Sequence, residues 1–506
     1  MAKQSKDEPA DVRWLFADQL GPHFLDHPKQ RVLLVESKAV FERRVFHRRK
    51  AHLILSALRH RAAELGDQAE VRRTGSYREA VEDVGADRPL TVCAPTTYAA
   101  RRLTAALARD GLVRELPERG WTITPAQFTH WAQARGKRRL LMEDFYREVR
   151  RHHDLLLEPD GEPVGGRWNY DDENRLPPPR TPTLGTPEPW WPSEDEIDDE
   201  VRADLDRWQA SGVRFAGDDG PRRFPVTREE ALKALEQFVT GRLADFGPYE
   251  DAVLEQDRWM AHSLLSVPLN LGLLHPLDVV RRAVRAVHDG DAPLASVEGF
   301  VRQVVGWREY VWHLYWYFGE DYRHENQLQA TEALPAWFSD LDAGGEVRAR
   351  CLSETLRAVR EDGWTHHIPR LMILGNWALQ RGYDPEAMTD WFHRMFVDGY
   401  DWVMVPNVVG MALHADGGTM MTKPYAAGGA YLNRMTDHCR PCVYDPKVRV
   451  GEKACPFTAG YWAFLDRTGA AFEHNPRMGR AVGGLARLSD REALLDQERR
   501  RGPAAP

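Results

Sequence analysis

The sequence predicts a two-part fold, an α/β N-terminal domain followed through a long linker by a large all-α C-terminal domain. Three observations support this prediction. Short apolar runs alternate with helical patterns in the first third, prolines and acids concentrate between residues 157 and 225, and helical periodicity fills most of the chain from residue 226. The 506 residues are too many for one core. We therefore place the domains at 11–145 and 226–506, with the linker at 146–225.

The first third alternates predicted strands and helices. Apolar runs predict strands at 12–17, 31–36, 70–73 and 90–94, and helical patterns lie between them at 47–65, 76–83 and 97–110. Strands that alternate with helices are typical of a parallel sheet covered by helices, so we predict a Rossmann-like arrangement. The G-x-G-x-x-G fingerprint of dinucleotide binding is absent from this region.

The linker and the C-terminal part differ sharply in composition. Prolines at 176–180 and 187–192 cannot lie inside a helix. Thr227 and Glu230 then form a capping box that predicts a helix start. Further helices are predicted at 296–318, 346–361, 367–381 and 384–397, and we expect the charged tail after about residue 485 to be frayed.

Composition limits the functional classes. Hydrophobic residues make up 42% and charged residues 28%, as in ordinary globular proteins. No run approaches the ~20 apolar residues of a membrane span, and no secretory signal is visible, so we expect a monomer in the cytoplasm. The formal net charge of −8 excludes a general polycation. Nucleic-acid binding through a local basic face stays possible.

Four of the five cysteines form one late constellation. Cys439 and Cys442 make a C-x2-C chelate, Cys455 follows it, and Cys351 comes from far upstream. Four thiolates can complete a zinc or an iron–sulfur site, and the spacing alone does not separate the two. In a reducing compartment a C-x2-C pair is more often metal-binding or redox-active than disulfide-bonded. Cys93 lies in an apolar run and is predicted to be a buried small side chain.

Several longer motifs carry a family resemblance. They are Asp18-Gln19-Leu20, Gly166-Arg167-Trp168-Asn169-Tyr170, His262-Ser263-Leu264-Leu265-Ser266, Gly375-Asn376-Trp377-Ala378-Leu379, Pro406-Asn407-Val408-Val409-Gly410-Met411 and Thr422-Lys423-Pro424-Tyr425. Together with the domain order and the four cysteines, they resemble the iron–sulfur bacterial cryptochromes and photolyases. This is the prokaryotic (6-4) photolyase group of the photolyase/cryptochrome superfamily. The resemblance covers nearly the whole chain and is strongest from 226 to 470.

The resemblance implies an FAD-binding helical domain and light-driven repair of (6-4) photoproducts in double- or single-stranded ultraviolet-damaged DNA. It assigns the flavin contacts to His262, Ser263, Leu264, Ser266, Gln303, Trp307, Arg308, Asn376, Asp398 and Asn407. The residue types agree with these roles. Hydroxyls before a helical segment suit a pyrophosphate, and two side chains four residues apart on a helix share one face. For the four cysteines the resemblance implies a [4Fe-4S] cluster.

The resemblance makes His366 and His367 the chemical centre. Repair of a (6-4) lesion needs an electron from excited reduced flavin and a proton from a nearby acid, and histidine titrates near neutral pH. The lesion would be flipped out of the duplex into the flavin cavity. Lys423, Arg434 and Arg440 are expected to contact the neighbouring phosphates.

The chain departs from the family at the expected electron-transfer positions. Ala343 stands where the family has a tryptophan, and Phe392 follows Trp391 where a tyrosine is common. We therefore expect light-driven flavin reduction to use Trp391, Tyr400 or Trp402 by another route. These departures motivate an alternative function, a cryptochrome-like blue-light sensor that repairs little DNA.

The flavin and antenna positions also differ from the family. Met404 replaces a glutamate near flavin N5, and a thioether cannot share a proton with that atom. Asp18 and Glu36 match antenna contacts to 6,7-dimethyl-8-ribityllumazine, but Val40 replaces a second acid, so we expect weakened antenna binding. A third reading also stays open, a helical nucleic-acid-binding protein that uses its cysteines for zinc.

Overall fold

The computed structural model describes residues 11–86, 89–343, 347–473 and 475–506. Its strands are β1 (Arg13–Leu15), β2 (Val32–Ser37), β3 (Phe46–His47), β4 (Ala69–Thr74), β5 (Leu90–Cys93), β6 (Val113–Leu116) and β7 (Phe215–Ala216). Five of them form a parallel sheet in the order β4-β2-β1-β5-β6, and β3 pairs with β7. Strands β2 and β5 are buried along their whole length, as expected where helices cover both faces. The four predicted strands and the parallel sheet are confirmed.

The N-terminal helices are α1 (Ala39–Glu42), α2 (Arg48–Leu65), α3 (Tyr77–Gly85), α4 (Tyr98–Arg109), α5 (Pro125–Ala134), α6 (Met142–His153) and α7 (Glu196–Ala210). The three predicted helices correspond to α2, α3 and α4. Ser76 and Thr97 cap α3 and α4 by accepting hydrogen bonds from backbone N–H groups of the first turn. Helix α6 crosses the predicted boundary at 145/146. Helix α7 lies within the predicted linker and packs on α2, so much of the linker is regular structure.

The remainder is almost entirely helical. Its α-helices are α8 (Arg228–Gly241), α9 (Leu243–Tyr249), α10 (Ser266–Asn270), α11 (Pro276–His288), α12 (Leu294–Val301), α13 (Glu309–Phe318), α14 (Ala336–Ser339), α15 (Arg350–Asp362), α16 (Asn376–Arg381), α17 (Pro385–Met395), α18 (Asp401–Val405), α19 (Gly429–Met435), α20 (Pro456–Thr468), α21 (Gly479–Leu485) and α22 (Arg491–Arg501). The capping box at Thr227 and Glu230 is present at the start of α8. The predicted all-α C-terminal part is thereby confirmed.

Shorter helical stretches complete the secondary structure. Single 3-10 turns lie at Pro22–Phe24, Gly66–Gln68, Val164–Gly166, Asp171–Glu173, Glu320–His324 and Gly469–Phe472. Three π-helical stretches lie at Arg302–Arg308, Pro369–Gly375 and Pro406–Ala412. Within the described ranges, no helix combines the length and apolar character needed to cross a membrane.

The charged tail is docked, and the prediction that it frays was wrong. Leu494 of α22 is fully buried, and the buried carboxylate of Glu498 pairs with Arg381 at 2.7 Å. One buried apolar cluster extends from the sheet (Leu15) into the helical part (Trp312). The two parts therefore share a core, which fixes residues of the N-terminal part against the helical site.

Candidate active site

A cavity of about 930 Å³ opens in the helical part, at the upper end of the ~300–1,000 Å³ range of ligand sites. All three π-helical stretches of the described chain contribute to its wall, through residues such as Gln303, Leu371 and Asn407. The π-helix is rare and is frequent at functional sites. Three of them around one space indicate that this cavity is the functional centre.

Nine of the ten predicted flavin contacts line the cavity: His262, Ser263, Leu264, Ser266, Gln303, Trp307, Arg308, Asp398 and Asn407. Asn376 does not, so its direct role needs correction. Its side chain is fully buried, donates to the carbonyl of Ala427 at 2.8 Å and accepts from the N–H of Ala427 at 3.1 Å. Since Ala427 itself lines the cavity, Asn376 fixes the backbone of a lining residue without lining the cavity itself.

The loop before α10 is held in an unusual backbone conformation. Met260 and Leu264 have positive φ values of 40° and 58°, which non-glycine residues rarely adopt. The buried guanidinium of Arg242 donates to the carbonyls of Trp259, Met260 and His262 and so fixes the loop. Backbone strain of this kind persists where the surroundings enforce it, often at ligand sites.

Asp398 is the best-anchored acid of the cavity. Arg370 donates two hydrogen bonds to its carboxylate, of 2.8 and 3.2 Å, and the Ser266 hydroxyl donates a third at 2.8 Å. Lys50 of α2 reaches the same loop and donates to the carbonyls of His393, at 2.5 Å, and Gly399. Burial lowers the pKa of Lys50 to about 7, with the charge of Asp398 opposing the shift. A lysine of the N-terminal part therefore positions the loop that carries Asp398.

Arg308 places a cation in the wall beside two tryptophans. Only 12% of its side chain is exposed, and its guanidinium lies 4.2 Å from the Trp121 ring centroid and 5.3 Å from that of Trp402. Burial lowers its pKa to about 10, partly offset by Glu309, which leaves it charged at neutral pH. Its Nε–H is buried without a hydrogen-bond acceptor.

His262, His366 and His367, here called the histidine cluster, lie together on one wall. The rings of His262 and His366 stack with centroids 4.2 Å apart, and ligand nitrogens of all three come within 4.8 Å of one another. His262 thus belongs with the predicted catalytic pair, which sequence spacing could not reveal.

The two predicted catalytic histidines have different surroundings. Burial, followed by the charges of His262 and His367, lowers the pKa of His366 well below its usual value, and neither of its ring nitrogens has a hydrogen-bond partner. His367 is 46% exposed, and its Nε2 lies 3.2 Å from Asp251 Oδ1. His366 is therefore neutral near pH 7, whereas His367 is half-exposed and has a carboxylate partner.

The predicted electron-transfer residues Trp391 and Tyr400 do not line the cavity. Trp391 is fully buried, 5.1 Å from the Phe338 ring centroid, and its indole N–H donates to Ser339. Tyr400 lies behind the wall beside Lys50. Phe392 does line the cavity.

Trp402, which also lines the cavity, begins a separate aromatic series. Its ring centroid lies 5.7 Å from that of Trp312, which lies 5.4 Å from that of Trp316. Trp121 stacks on Trp312 at 3.9 Å, and partly exposed Tyr98 lies 4.5 Å from Trp316. The sequence analysis named Trp402 but could not connect it to Trp121 and Tyr98, which lie about 200 residues upstream of the tryptophans they contact.

Of the two predicted antenna acids, Asp18 follows β1 and Glu36 lies near the end of β2. Because these strands are parallel, both acids lie at the carboxyl ends of the strands. Both oxygens of Glu36 accept hydrogen bonds from Arg59 at 2.8 Å, so that carboxylate is already paired. Asp18 accepts a hydrogen bond from the Thr96 hydroxyl. Burial raises the pKa of Asp18 to about 6, against the lowering effect of this bond. Antenna binding stays a prediction, and Asp18 is its better-placed contact.

The four late cysteines converge from three segments as unpaired thiols. Cys351 lies in the first turn of α15, Cys439 and Cys442 follow α19, and Cys455 caps α20. Burial and the charges of the other three raise the pKa of Cys351 well above its usual value. Burial, with Cys455 and Cys442, raises that of Cys439 to about 12. A bound cation would lower these pKa values and hold the sulfurs as thiolates.

The predicted DNA contacts divide into two places. Lys423 and Arg434 are exposed at the cavity rim, and Arg434 lies 5.7 Å from the Tyr431 ring centroid. Arg440 is exposed within the C-x2-C turn, away from the cavity lining. In the described part of the chain, no carboxylate forms an ion pair with any of the three.

Comparisons with known proteins cover nearly the whole chain. The family model "Deoxyribodipyrimidine photo-lyase-related protein" matches residues 13–213. The "(6-4) photolyase" of Agrobacterium fabrum is 38% identical over 496 residues, 94% of this chain and 95% of that protein. An uncharacterized protein of Acanthamoeba polyphaga mimivirus is 41% identical over 66 residues, 13% of this chain and 54% of that protein.

A solved structure shares the fold. The crystal structure of a bacterial class III photolyase from Agrobacterium tumefaciens superposes with a TM-score of 0.57 at 15% identity, covering 95% of this chain and 99% of that one. An α/β part followed by a helical part is therefore common to both chains.

Proposed function

Because the chain belongs to the photolyase/cryptochrome family, we propose that it is a light-dependent (6-4) photolyase that repairs ultraviolet-damaged DNA. One observation carries the proposal: the cavity brings the implied flavin contacts and the histidine cluster to a single space. The full-length relative named "(6-4) photolyase" agrees with this reading.

The residues of the cavity fit FAD. Its volume and mixed lining suit a large cofactor, and Arg308, Asp398 and Asn407 offer polar side chains in that lining. Ser263 lies on the strained loop and Ser266 begins α10, and both would hold the phosphates. When bound, reduced and photoexcited FAD supplies the electron for repair.

The histidine cluster would supply the proton. Asp251 engages Nε2 of His367, which leaves Nδ1 as the ring nitrogen that can deliver a proton to the lesion and take it back. His366 stays neutral and acts by stacking and positioning. This division refines the expectation that the two histidines form the chemical centre.

The rim would receive the damaged DNA. A flipped-out lesion loses its stacking in the duplex, and the aromatic side chains of Trp307, Tyr425 and Tyr431 in the cavity can replace it. Lys423 and Arg434 have no competing carboxylate among the described residues and would contact phosphates beside the flipped nucleotide.

For the four cysteines we propose a [4Fe-4S] cluster with a structural role. The four cysteines lie in the described part of the chain, and no three of their sulfurs all lie within 4.8 Å of one another. A single zinc ion, with Zn–S bonds of ~2.3 Å, would draw its thiolates closer together than that. The wider set suits a multi-iron cluster. Such a cluster would tie α15, the C-x2-C turn and α20 together.

A repair assay tests the proposed function. The reduced, FAD-loaded protein should remove (6-4) photoproducts from ultraviolet-treated DNA under blue light. His367→Asn should keep FAD and lose roughly 100-fold or more of the repair rate, within the range for a lost general acid. His366→Asn should lose less. Equal losses in the two variants would contradict the division of roles.

The second candidate function is a blue-light sensor. Phe392 and Met404 line the cavity at positions where the family commonly has tyrosine and glutamate, and this observation favours the alternative. It would be supported if the loaded protein repaired no lesion but changed its affinity for a partner on illumination.

A further inference from the structure

At one end of the cavity two buried carboxylates share one guanidinium. Arg302 Nη2 lies 3.7 Å from Glu250 Oε1, and Arg302 Nε lies 3.4 Å from Glu298 Oε1. Both acids are almost completely buried, with 3% and 0% exposure. Asp171 also contacts Arg302, at 3.2 Å, but it has a second cation in Arg175. Arg302 is thus left to balance Glu250 and Glu298.

Two carboxylates on one cation leave an excess negative charge in a buried place. Such a charge is costly, and a group commonly avoids the cost by keeping its proton. Glu298 lies outside the cavity lining, and its Oε2 accepts a hydrogen bond from the Tyr170 N–H at 3.0 Å. Glu250 has only the long contact to Arg302 and a 3.4 Å hydrogen bond from Gln303. Glu250 is therefore the acid that retains the proton.

The groups that face Glu250 agree with this assignment. Burial raises its pKa to about 7, against the lowering effects of Arg302 and His367, while Asp251 and Asp171 raise it further. The acid is thus largely neutral below pH 7 and ionises above it.

Glu250 also faces the space in which a flipped base would sit. It lines the cavity next to Asp251, the partner of His367. Tyr425 and Tyr431 belong to the same lining. Gln303, its hydrogen-bond donor, lines the cavity as well, so the pair presents polar atoms to an entering base.

We propose that Glu250 is a specificity-determining residue whose neutral carboxyl group donates a hydrogen bond to a flipped-out pyrimidine lesion. The acceptor would be a carbonyl oxygen or an unprotonated ring nitrogen of the damaged base. This inference rests on the proposed function. A neutral acid can donate to such an acceptor, whereas a carboxylate would repel it. A site built to hydrogen-bond its ligand discriminates strongly against ligands that cannot make the bond.

The pH dependence follows from the protonation of Glu250. Ionisation removes the donor, so the preference for damaged over undamaged DNA should fall as pH rises above about 7. The fall approaches tenfold per pH unit once the acid is largely ionised, because only the protonated fraction binds productively. Undamaged stacked bases do not enter the cavity, and their binding should not follow this profile.

The test measures dark binding of the FAD-loaded protein to oligonucleotides with and without one (6-4) lesion, from pH 6 to 8.5. Glu250→Gln keeps an N–H donor and cannot ionise, so it should retain the preference with a flat pH profile. Glu250→Ala should lose about 10- to 100-fold of the preference at low pH, the scale of a lost buried hydrogen bond. Thermal stability and FAD content show whether each variant is folded. If the alanine variant does not fold, the glutamine profile decides alone.

Glu298→Gln is the matched variant, because it removes a carboxylate from the same arginine but outside the cavity lining. Arg302 would then serve Glu250 alone, and the loss of preference should move to lower pH. Unchanged profiles in both glutamine variants would overturn the inference. If the wild-type protein neither prefers nor repairs the lesion, the proposed function fails. If it does both with no pH dependence, only the role of Glu250 fails.

Discussion

Replacing Arg370 by methionine should leave the buried carboxylate of Asp398 without its cationic partner. Arg370 holds Asp398 by hydrogen bonds of 2.8 and 3.2 Å, and the two side chains are only 17% and 7% exposed. Breaking a buried ion pair costs about 3–5 kcal/mol, because the remaining charge stays buried without a partner. Partial exposure of Arg370 favours the lower end, so we expect about 3 kcal/mol. If the substitution destabilises the FAD-bound protein by this amount relative to the free protein, FAD binding weakens roughly 100-fold.

The assay follows release of FAD fluorescence during urea titration and during dilution. Arg357→Met is the control, because Arg357 is 43% exposed and its pairs with Glu354 and Glu361 lie within one helix, where such pairs are worth about 0.5 kcal/mol. Adding Asp398→Asn to the Arg370 variant should recover part of the stability, because it removes the unpaired charge. A loss for Arg370→Met no larger than the control, or no recovery in the double variant, would refute the reasoning.

Three further predictions concern separate features. Trp402→Phe should slow bleaching of the flavin absorption under blue light more than Trp391→Phe does, because only Trp402 lines the cavity; equal rates would count against the Trp402 series. Cys439→Ser should remove the broad visible absorption of an iron–sulfur cluster and lower the melting temperature; an unchanged spectrum and melting temperature would exclude the structural cluster. His313→Leu should make the free energy of unfolding fall less steeply as the pH is lowered. Burial lowers the pKa of His313 from 6.5 to about 3, so only the unfolded chain binds a proton as pH falls below 6.5. This costs the folded state up to ~1.4 kcal/mol per pH unit, and equal slopes of unfolding free energy against pH in wild type and variant would contradict it.

The parts of the fold that were predictable are those with a local physical signal. Residues Val32–Val35 of β2 form an apolar run that only a buried strand explains. Strand β6 escaped prediction because it lies at the sheet edge, with Arg114 and Glu115 exposed. Helix α22 escaped because its buried Glu498 is neutralised by Arg381, a partner 117 residues away. Local charge predicts a frayed tail, whereas a distant partner determines a docked helix.

The candidate site shows the same division. Family motifs located nine of the ten expected flavin contacts and both catalytic histidines in the cavity lining, but the π-helical stretches left no recognisable period in the sequence. The roles of Lys50 and Trp121 depend on the N-terminal part packing against the helical part. The difference between His366 and His367 depends on burial and on Asp251, neither of which sequence spacing reveals. Asn376 lies one layer behind its expected place because its amide is bound to Ala427.

The most direct test of the central claim is chromatographic analysis of an oligonucleotide with a single (6-4) photoproduct, incubated with the reduced, FAD-loaded protein. We predict that blue light converts the lesion to the two original pyrimidines in successive turnovers, and that no conversion occurs in the dark. An unchanged lesion after illumination of the loaded protein would contradict the account.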